Sequence, residues 1–228
     1  MRYGRNVIFV TDIKQLFDQK QVFIFDFDGT LVDSMGMWGR VDMTIAERHG
    51  ATVPPNFLDM LVPMSEEESA QCFLDHGCHG TVESIMQEIN ELANAEYANS
   101  IELKAGAREL LERLRERGVK LGLLTAATLE RILPCLERHG LLGYFSLILT
   151  CDAVGLPKND PAIYKKALAL LGVAAEQTLF FDDNVTAVAT AKQAGLATVG
   201  VYDEHAAHRW EEMKRTADVT VVSFEELL

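Results

Sequence analysis

The sequence predicts an α/β fold, a doubly wound parallel sheet interrupted after its first strand by an all-helical insertion. Three observations predict it. Short apolar runs recur along the chain and are unbroken rather than alternating, the pattern of strands buried on both faces of a parallel sheet. A helical pattern follows most of these runs, and several such patterns close at a glycine (Gly118, Gly140, Gly172 and Gly195), the residue a helix C-terminus favours. Residues 34–103 break the rhythm: they hold no convincing strand, and their apolar residues recur at helical spacing.

In chain order, residues 1–20 form an extension in which 7–10 reads equally as an edge strand or as part of a loosely attached tail. The first buried strand is 22–25. Within 34–103, Trp38, Val41 and Ile45 share one helical face and Ile85, Met86, Ile89 and Leu92 another, with Pro54-Pro55 marking a turn. Strands are then predicted at 119–124, 147–149, 178–181, 197–201 and 219–222, and helices at 107–117, 129–139, 161–171 and 185–194. This alternation requires right-handed crossovers. The expected organisation is a core of residues 21–33 and 104–228 with a helical domain at 34–103.

A chain of 228 residues suits one large domain carrying such an insertion. No apolar run approaches the ~18 residues that would span a bilayer. Residues 7–10 are too short for the apolar stretch of a signal peptide and are followed at once by Asp12, so a cytoplasmic protein is expected. Cys72, Cys78, Cys135 and Cys151 show neither the paired spacing of a zinc site nor a disulfide framework, which fits thiols in a reducing compartment. The net charge of −13 argues against a nucleic-acid partner. Residues 34–103 hold twelve acidic side chains against Arg40 and Arg48, and no lysine, the composition of a solvated helical surface.

Ligands of open α/β sheets bind beyond the carboxyl ends of the strands. The residues at those ends are Asp26-Phe27-Asp28-Gly29-Thr30 after the first strand, Thr125 after the second, Lys158 after the third and its loop, and Asp182-Asp183-Asn184 after the fourth. Two carboxylates ~4 Å apart repel by about 4 kcal/mol at an effective dielectric of ~20. A hard divalent cation relieves that repulsion, and an all-oxygen site with few protein ligands suits Mg²⁺. An aspartate can attack a phosphoryl group, and a second can protonate the leaving oxygen. A threonine hydroxyl and a lysine ammonium can hold the developing charge. Taken singly these residues have plainer readings: Thr30 or Ser34 as helix caps in a turn, Thr125 as a strand end, Lys158 as a surface lysine, Asp182-Asp183 as a cap. Their company in one order removes most of that weight.

The four segments resemble the motifs of the haloacid dehalogenase superfamily, over residues 21–228: Asp26–Ser34, Leu123-Leu124-Thr125, Gly155–Pro161 followed by Tyr164, and Phe180–Asn184. The insertion point resembles the helical-cap branch of that family, whose core is Rossmann-like and which includes phosphoglycolate phosphatases and β-phosphoglucomutases. The resemblance implies Asp26 as nucleophile and Mg²⁺ ligand, and Asp28 as general acid/base with its carbonyl on the metal. Asp183 is the implied metal carboxylate, Asp182 a direct or water-mediated ligand, and Thr125 and Lys158 the phosphate-binding pair. Gly29 and Ala126 would border the substrate, and Trp38 would line its pocket or sit in the cap core. Asn159, Ala126 and Asn184 depart from the usual residues without removing a reactive group.

Dehalogenases of the family lack the second aspartate, present here as Asp28. Phosphonoacetaldehyde hydrolases need a cap lysine for a Schiff base, and 34–103 has none. β-Phosphoglucomutases carry a histidine where Trp38 stands, and an acidic cap is a poor host for a second phosphate. The expectation is therefore a Mg²⁺-dependent phosphatase acting on a small phosphorylated metabolite, with a mutase, a receiver-like signalling domain or a silent phosphate binder as alternatives. Monomer and homodimer fit the sequence equally.

Overall fold

A computed structural model of the chain describes residues 16–61 and 64–228. Six parallel strands form one sheet: β1 (Val22–Phe25), β2 (Lys120–Thr125), β3 (Leu147–Thr150), β4 (Thr178–Asp182), β5 (Ala197–Val201) and β6 (Val219–Val221). Their order is β3-β2-β1-β4-β5-β6, so β1 is central and the strand order reverses beside it. Register aligns Phe25 with Leu123 on one side and with Phe181 on the other. Asp26, one residue beyond, donates its backbone N–H to the Phe181 carbonyl at 2.9 Å and so emerges level with Asp182.

Alternation along the strands splits the core in two. Val22, Ile24, Leu124 and Phe180 join Ile163, Tyr164, Ala167, Leu168 and Leu171 of α8 (Pro161–Leu171) and Ala187 and Ala191 of α9 (Val185–Gln193). The other face holds Phe23, Phe25 and Phe181, with Phe25 stacked on Phe181 at 4.4 Å and Phe224 6.2–6.3 Å from both. Burying a phenylalanine is worth about 1.5–3 kcal/mol, so this cluster fixes the central strands firmly. Phe17 packs on Phe23 at 5.3 Å, tying residues 16–20 to the sheet. The alternatives for 7–10 lie outside the described residues.

The helices follow from their caps and spacing. α5 (Ala107–Glu116) buries Ala107, Leu110, Leu111 and Leu114, one face at intervals of three and four. α8 starts with Asp160 accepting from the Ala162 N–H and with Pro161 in its first turn, and it ends on left-handed Gly172. The remaining core helices are α6 (Leu129–Arg138), the short α7 (Cys151–Val154) and α10 (Trp210–Thr216).

Residues 34–101 form a second compact unit, all helical: α1 (Met35–His49), α2 (Phe57–Leu61), α3 (Glu66–Asp75) and α4 (Val82–Asn99). Its core is Met37, Val41 and Ile45 from α1 and Ile85, Ile89, Ala93 and Tyr97 from α4, with Phe57 edge-on to Phe73 at 5.1 Å. Capping boxes at Ser65/Glu68 and Thr81/Ser84 start α3 and α4.

On the core side, the two connectors to this unit run together. Val32 pairs antiparallel with Leu103, and the Asp33 N–H bonds the Glu102 carbonyl at 2.9 Å. Lys104 anchors the return connector, donating to the Tyr202 carbonyl and the buried Asp203 carboxylate, both at 2.8 Å. All four cysteines are free thiols. Among the described residues, no helix is long and apolar enough to cross a membrane.

Candidate active site

The carboxyl edge of the sheet gathers four of the expected side chains into one cluster. Asp26 follows β1 directly and is almost fully buried. Lys158 reaches it from the 156–160 loop, its Nζ 2.5 Å from Asp26 Oδ1 and 2.9 Å from Asp182 Oδ2. Burial alone would lower the lysine pKa, but Asp182 and Asp26 outweigh it and hold the ammonium well above its ordinary value.

Asp182 is the last residue of β4 and is wholly buried. Both its oxygens already have donors, Oδ2 from Lys158 and Oδ1 from the Asn184 N–H at 2.7 Å. Burial raises its pKa against the pull of Lys158. Asp183 turns out of the strand, and burial, then Asp182 and Asp26, push its carboxyl up to about 8. Asn184 caps α9, accepting from the Thr186 and Ala187 N–H groups.

Among the described residues, one oxygen from each of Asp26, Asp182 and Asp183 lies within 4.8 Å of the others. Two ionised carboxylates at that separation repel by about 3–4 kcal/mol at an effective dielectric of ~20, and Lys158 pairs with Asp26 and Asp182 but forms no ion pair with Asp183. The donor set is all oxygen, and with its three carboxyls ionised it would carry two negative charges after Lys158 is counted. It fits a small, hard divalent cation.

Two residues that sequence reasoning did not assign here hold the cluster together. Thr30, fully buried, accepts the Asp183 N–H at 3.0 Å, and its hydroxyl lies 3.3 Å from Asp26 Oδ2 and 3.2 Å from Asp183 Oδ1. It caps no helix; it bridges the first and fourth segments. Tyr164 sits beneath Lys158, its hydroxyl bonded to that residue's carbonyl. The only sequence signal for either was membership of a motif.

The other expected residues fall as follows. Asp28 is half-buried in the tight loop beyond β1, where it bridges to Val32. Gly29 has φ +73°, and a Cβ there would stand 2.6 Å from Asp183 Oδ2, so its bareness makes room for that carboxylate. Thr125 ends β2 and is buried; its Oγ1 accepts from the Ala127 N–H at 3.0 Å, which leaves the hydroxyl proton free to donate. Ala126 is exposed just past it. Trp38 belongs to the helical unit, half-buried on α1.

A buried carboxylate, an ammonium bonded to it, a buried hydroxyl and two further carboxylates thus share one rim of a parallel sheet. The chain belongs to the haloacid dehalogenase-like hydrolases, whose family model matches residues 23–201. It is 26% identical over 210 residues to a phosphorylated carbohydrates phosphatase of Thermotoga maritima, covering 91% of this chain and 96% of the relative. It is 31% identical over 202 residues to a phosphoglycolate phosphatase of Pseudomonas syringae pv. tomato, covering 84% and 74%. CbbY from Rhodobacter sphaeroides, solved in complex with phosphate, superposes with a TM-score of 0.74 at 25% identity, covering 91% of this chain and 96% of that one.

Proposed function

We propose that the chain is a Mg²⁺-dependent phosphatase that cleaves a small phosphate monoester through an aspartyl-phosphate on Asp26. The observation that carries this reading is the contact of one ammonium with both Asp26 and Asp182, beside the Asp183 carboxylate. Lysine, aspartate and cation ligand meet where a phosphoryl group needs positive charge on its equatorial oxygens and a nucleophile in line.

In the first step an Asp26 carboxylate oxygen attacks phosphorus while the bond to the ester oxygen breaks. Asp28 donates a proton to that departing oxygen. In the second step Asp28 takes a proton from water, the water oxygen attacks phosphorus, and the bond to Asp26 breaks to release phosphate. Lys158 and the Thr125 hydroxyl steady the charge on the transferring group. Asp26, Asp183 and the Asp28 carbonyl would hold Mg²⁺, which when bound supplies charge neutralisation between nucleophile and phosphoryl oxygens. Asp182, with both oxygens committed, would reach the cation only through water while keeping Lys158 in line.

The Thermotoga and Pseudomonas relatives act on phosphorylated carbohydrates and on phosphoglycolate, which supports a small phosphorylated metabolite as the substrate here. Neither nucleic acid nor a membrane is a partner on this reading, and four free thiols suit the cytoplasm. The test is turnover of p-nitrophenyl phosphate with Mg²⁺ and with EDTA, together with acid-quench mass spectrometry. Activity lost on chelation, and a phosphate adduct on Asp26 that Asp26→Asn abolishes without unfolding the chain, are expected. Asp26→Asn activity within about tenfold of the parent would remove Asp26 as nucleophile.

A further inference from the structure

Phosphoryl transfer from Asp26, Asp28, Thr125 and Lys158 makes no use of the phenol beneath that lysine. Tyr164 stands on α8, wholly buried, its ring edge-on to Phe180 of β4 at 5.2 Å. Its hydroxyl lies 2.9 Å from the Lys158 carbonyl and 3.0 Å from the Ala187 carbonyl. A phenol has one proton to donate, so it serves these two acceptors in turn. Ala187 is in the first turn of α9, just after Asp182-Asp183-Asn184. One oxygen therefore joins the loop that carries the ammonium to the helix that starts at the carboxylate pair.

That tie adds to two backbone bonds of the loop, from the Leu156 N–H to the Cys151 carbonyl at 3.2 Å and from the Asp160 N–H to the Pro157 carbonyl at 3.0 Å. Residues 156–160 contain neither helix nor strand, and among the described residues no backbone N–H reaches the Lys158 carbonyl. A lysine side chain has four flexible carbons, so its ammonium is no better placed than the backbone it springs from. Packing does not explain the oxygen, because the ring is surrounded by apolar residues and phenylalanine would fill the same space. A hydroxyl buried there is costly unless bonded.

We propose that Tyr164 is a positioning residue for Lys158, its hydroxyl fixing the 156–160 loop against α9 so that the ammonium meets Asp26 and Asp182. The kinetic consequence rests on the phosphatase reading; the geometric one does not. Tyr164→Phe keeps the ring and removes only the oxygen. In that variant kcat for p-nitrophenyl phosphate is expected to fall about tenfold with a smaller change in KM, the size of one lost hydrogen bond. The deciding comparison is a double-mutant cycle. In a Lys158→Gln background, Tyr164→Phe should change kcat by less than about twofold, because the group it positions is gone.

An equal loss in both backgrounds would overturn the proposal, since it would mean that the hydroxyl supports the core at large. Amide exchange gives a readout without turnover. Exchange in 156–160 should quicken about tenfold in Tyr164→Phe while β1 and β4 stay protected, and unchanged exchange there would also overturn it. A parent enzyme inert towards the aryl phosphate would sink the functional reading, and the exchange result would then decide the placement of the loop by itself.

Discussion

Replacing Thr30 by valine removes an oxygen from the centre of the site and leaves its volume almost unchanged. The Thr30 hydroxyl takes the Asp183 N–H at 3.0 Å and shares its one proton between Asp26 Oδ2 and Asp183 Oδ1. Valine leaves that N–H without its acceptor, a cost of about 1–3 kcal/mol, and deletes one hydrogen bond to a charged group, worth about 1.5–3. Water admitted to a polar site returns part of this, so a net stability loss of about 2 kcal/mol is expected, or roughly 4–8 °C in Tm. On the proposed mechanism activity should suffer more, because Asp26 and Asp183 lose their common tie. A fall of about 30–100-fold in kcat/KM corresponds to roughly 2–2.7 kcal/mol of transition-state stabilisation. The assay is p-nitrophenyl phosphate turnover against Mg²⁺ concentration, with a melt on each variant. Half-saturation by Mg²⁺ should rise, and Thr30→Ser, which keeps the hydroxyl, should recover activity to within about threefold of the parent. If valine leaves both kcat/KM and Mg²⁺ half-saturation within about twofold, or serine does no better than valine, the bridging role is refuted.

Gly29 and Asp42 give two more expectations. Gly29→Ala forces a side chain into φ +73°, at a cost of about 1–2 kcal/mol, and sets a methyl against Asp183 Oδ2. Its Mg²⁺ half-saturation should rise at least about tenfold with the fold retained, and a normal Mg²⁺ response would show that Asp183 is not the carboxylate being crowded. In the helical unit, Asp42 on α1 has no hydrogen-bond or ionic partner among the described residues, and burial pushes its carboxyl up to about 6. The folded state therefore binds its proton more tightly than the unfolded one, and stability falls as pH rises from about 4 through 6. Asp42→Asn should raise Tm at pH 7.5 by a margin worth about 1 kcal/mol, after allowance for solvent screening, and the gain should vanish below pH ~4. Melts that differ equally at both pH values would contradict this.

Much of the core could be read from the sequence because a parallel strand, covered on both sides, has no reason to alternate. The unbroken runs at 22–25 and 178–181 mark β1 and β4 for that reason, and the aspartates at the end of each run lie at the sheet's carboxyl edge. Asp26 and Asp182-Asp183 meet because register sets Phe25 beside Phe181. The short helices α7 and α10 went unread, since four and seven residues contain too little of a 3.6-residue period to show it. Thr30 and Tyr164 were illegible for a different reason. Threonine in a turn and tyrosine on an apolar helix face both have ordinary explanations, and only coordinates reveal that their oxygens meet groups 153 and 23 residues away. Gly29 shows the same limit, as its missing side chain answers to Asp183, far along the chain.

The paired connectors have an evolutionary consequence. Because Val32 is bridged to Leu103 and Asp33 is bonded to Glu102, the core is already stitched shut where residues 34–101 branch off. Doubling the length of an excursion between fixed ends costs only about 0.6 kcal/mol of closure entropy. This junction is thus a natural splice point, at which one insert can be exchanged for a longer, shorter or differently charged one without shifting the register of any strand. Selection can then diversify the insert while the core keeps its strand register.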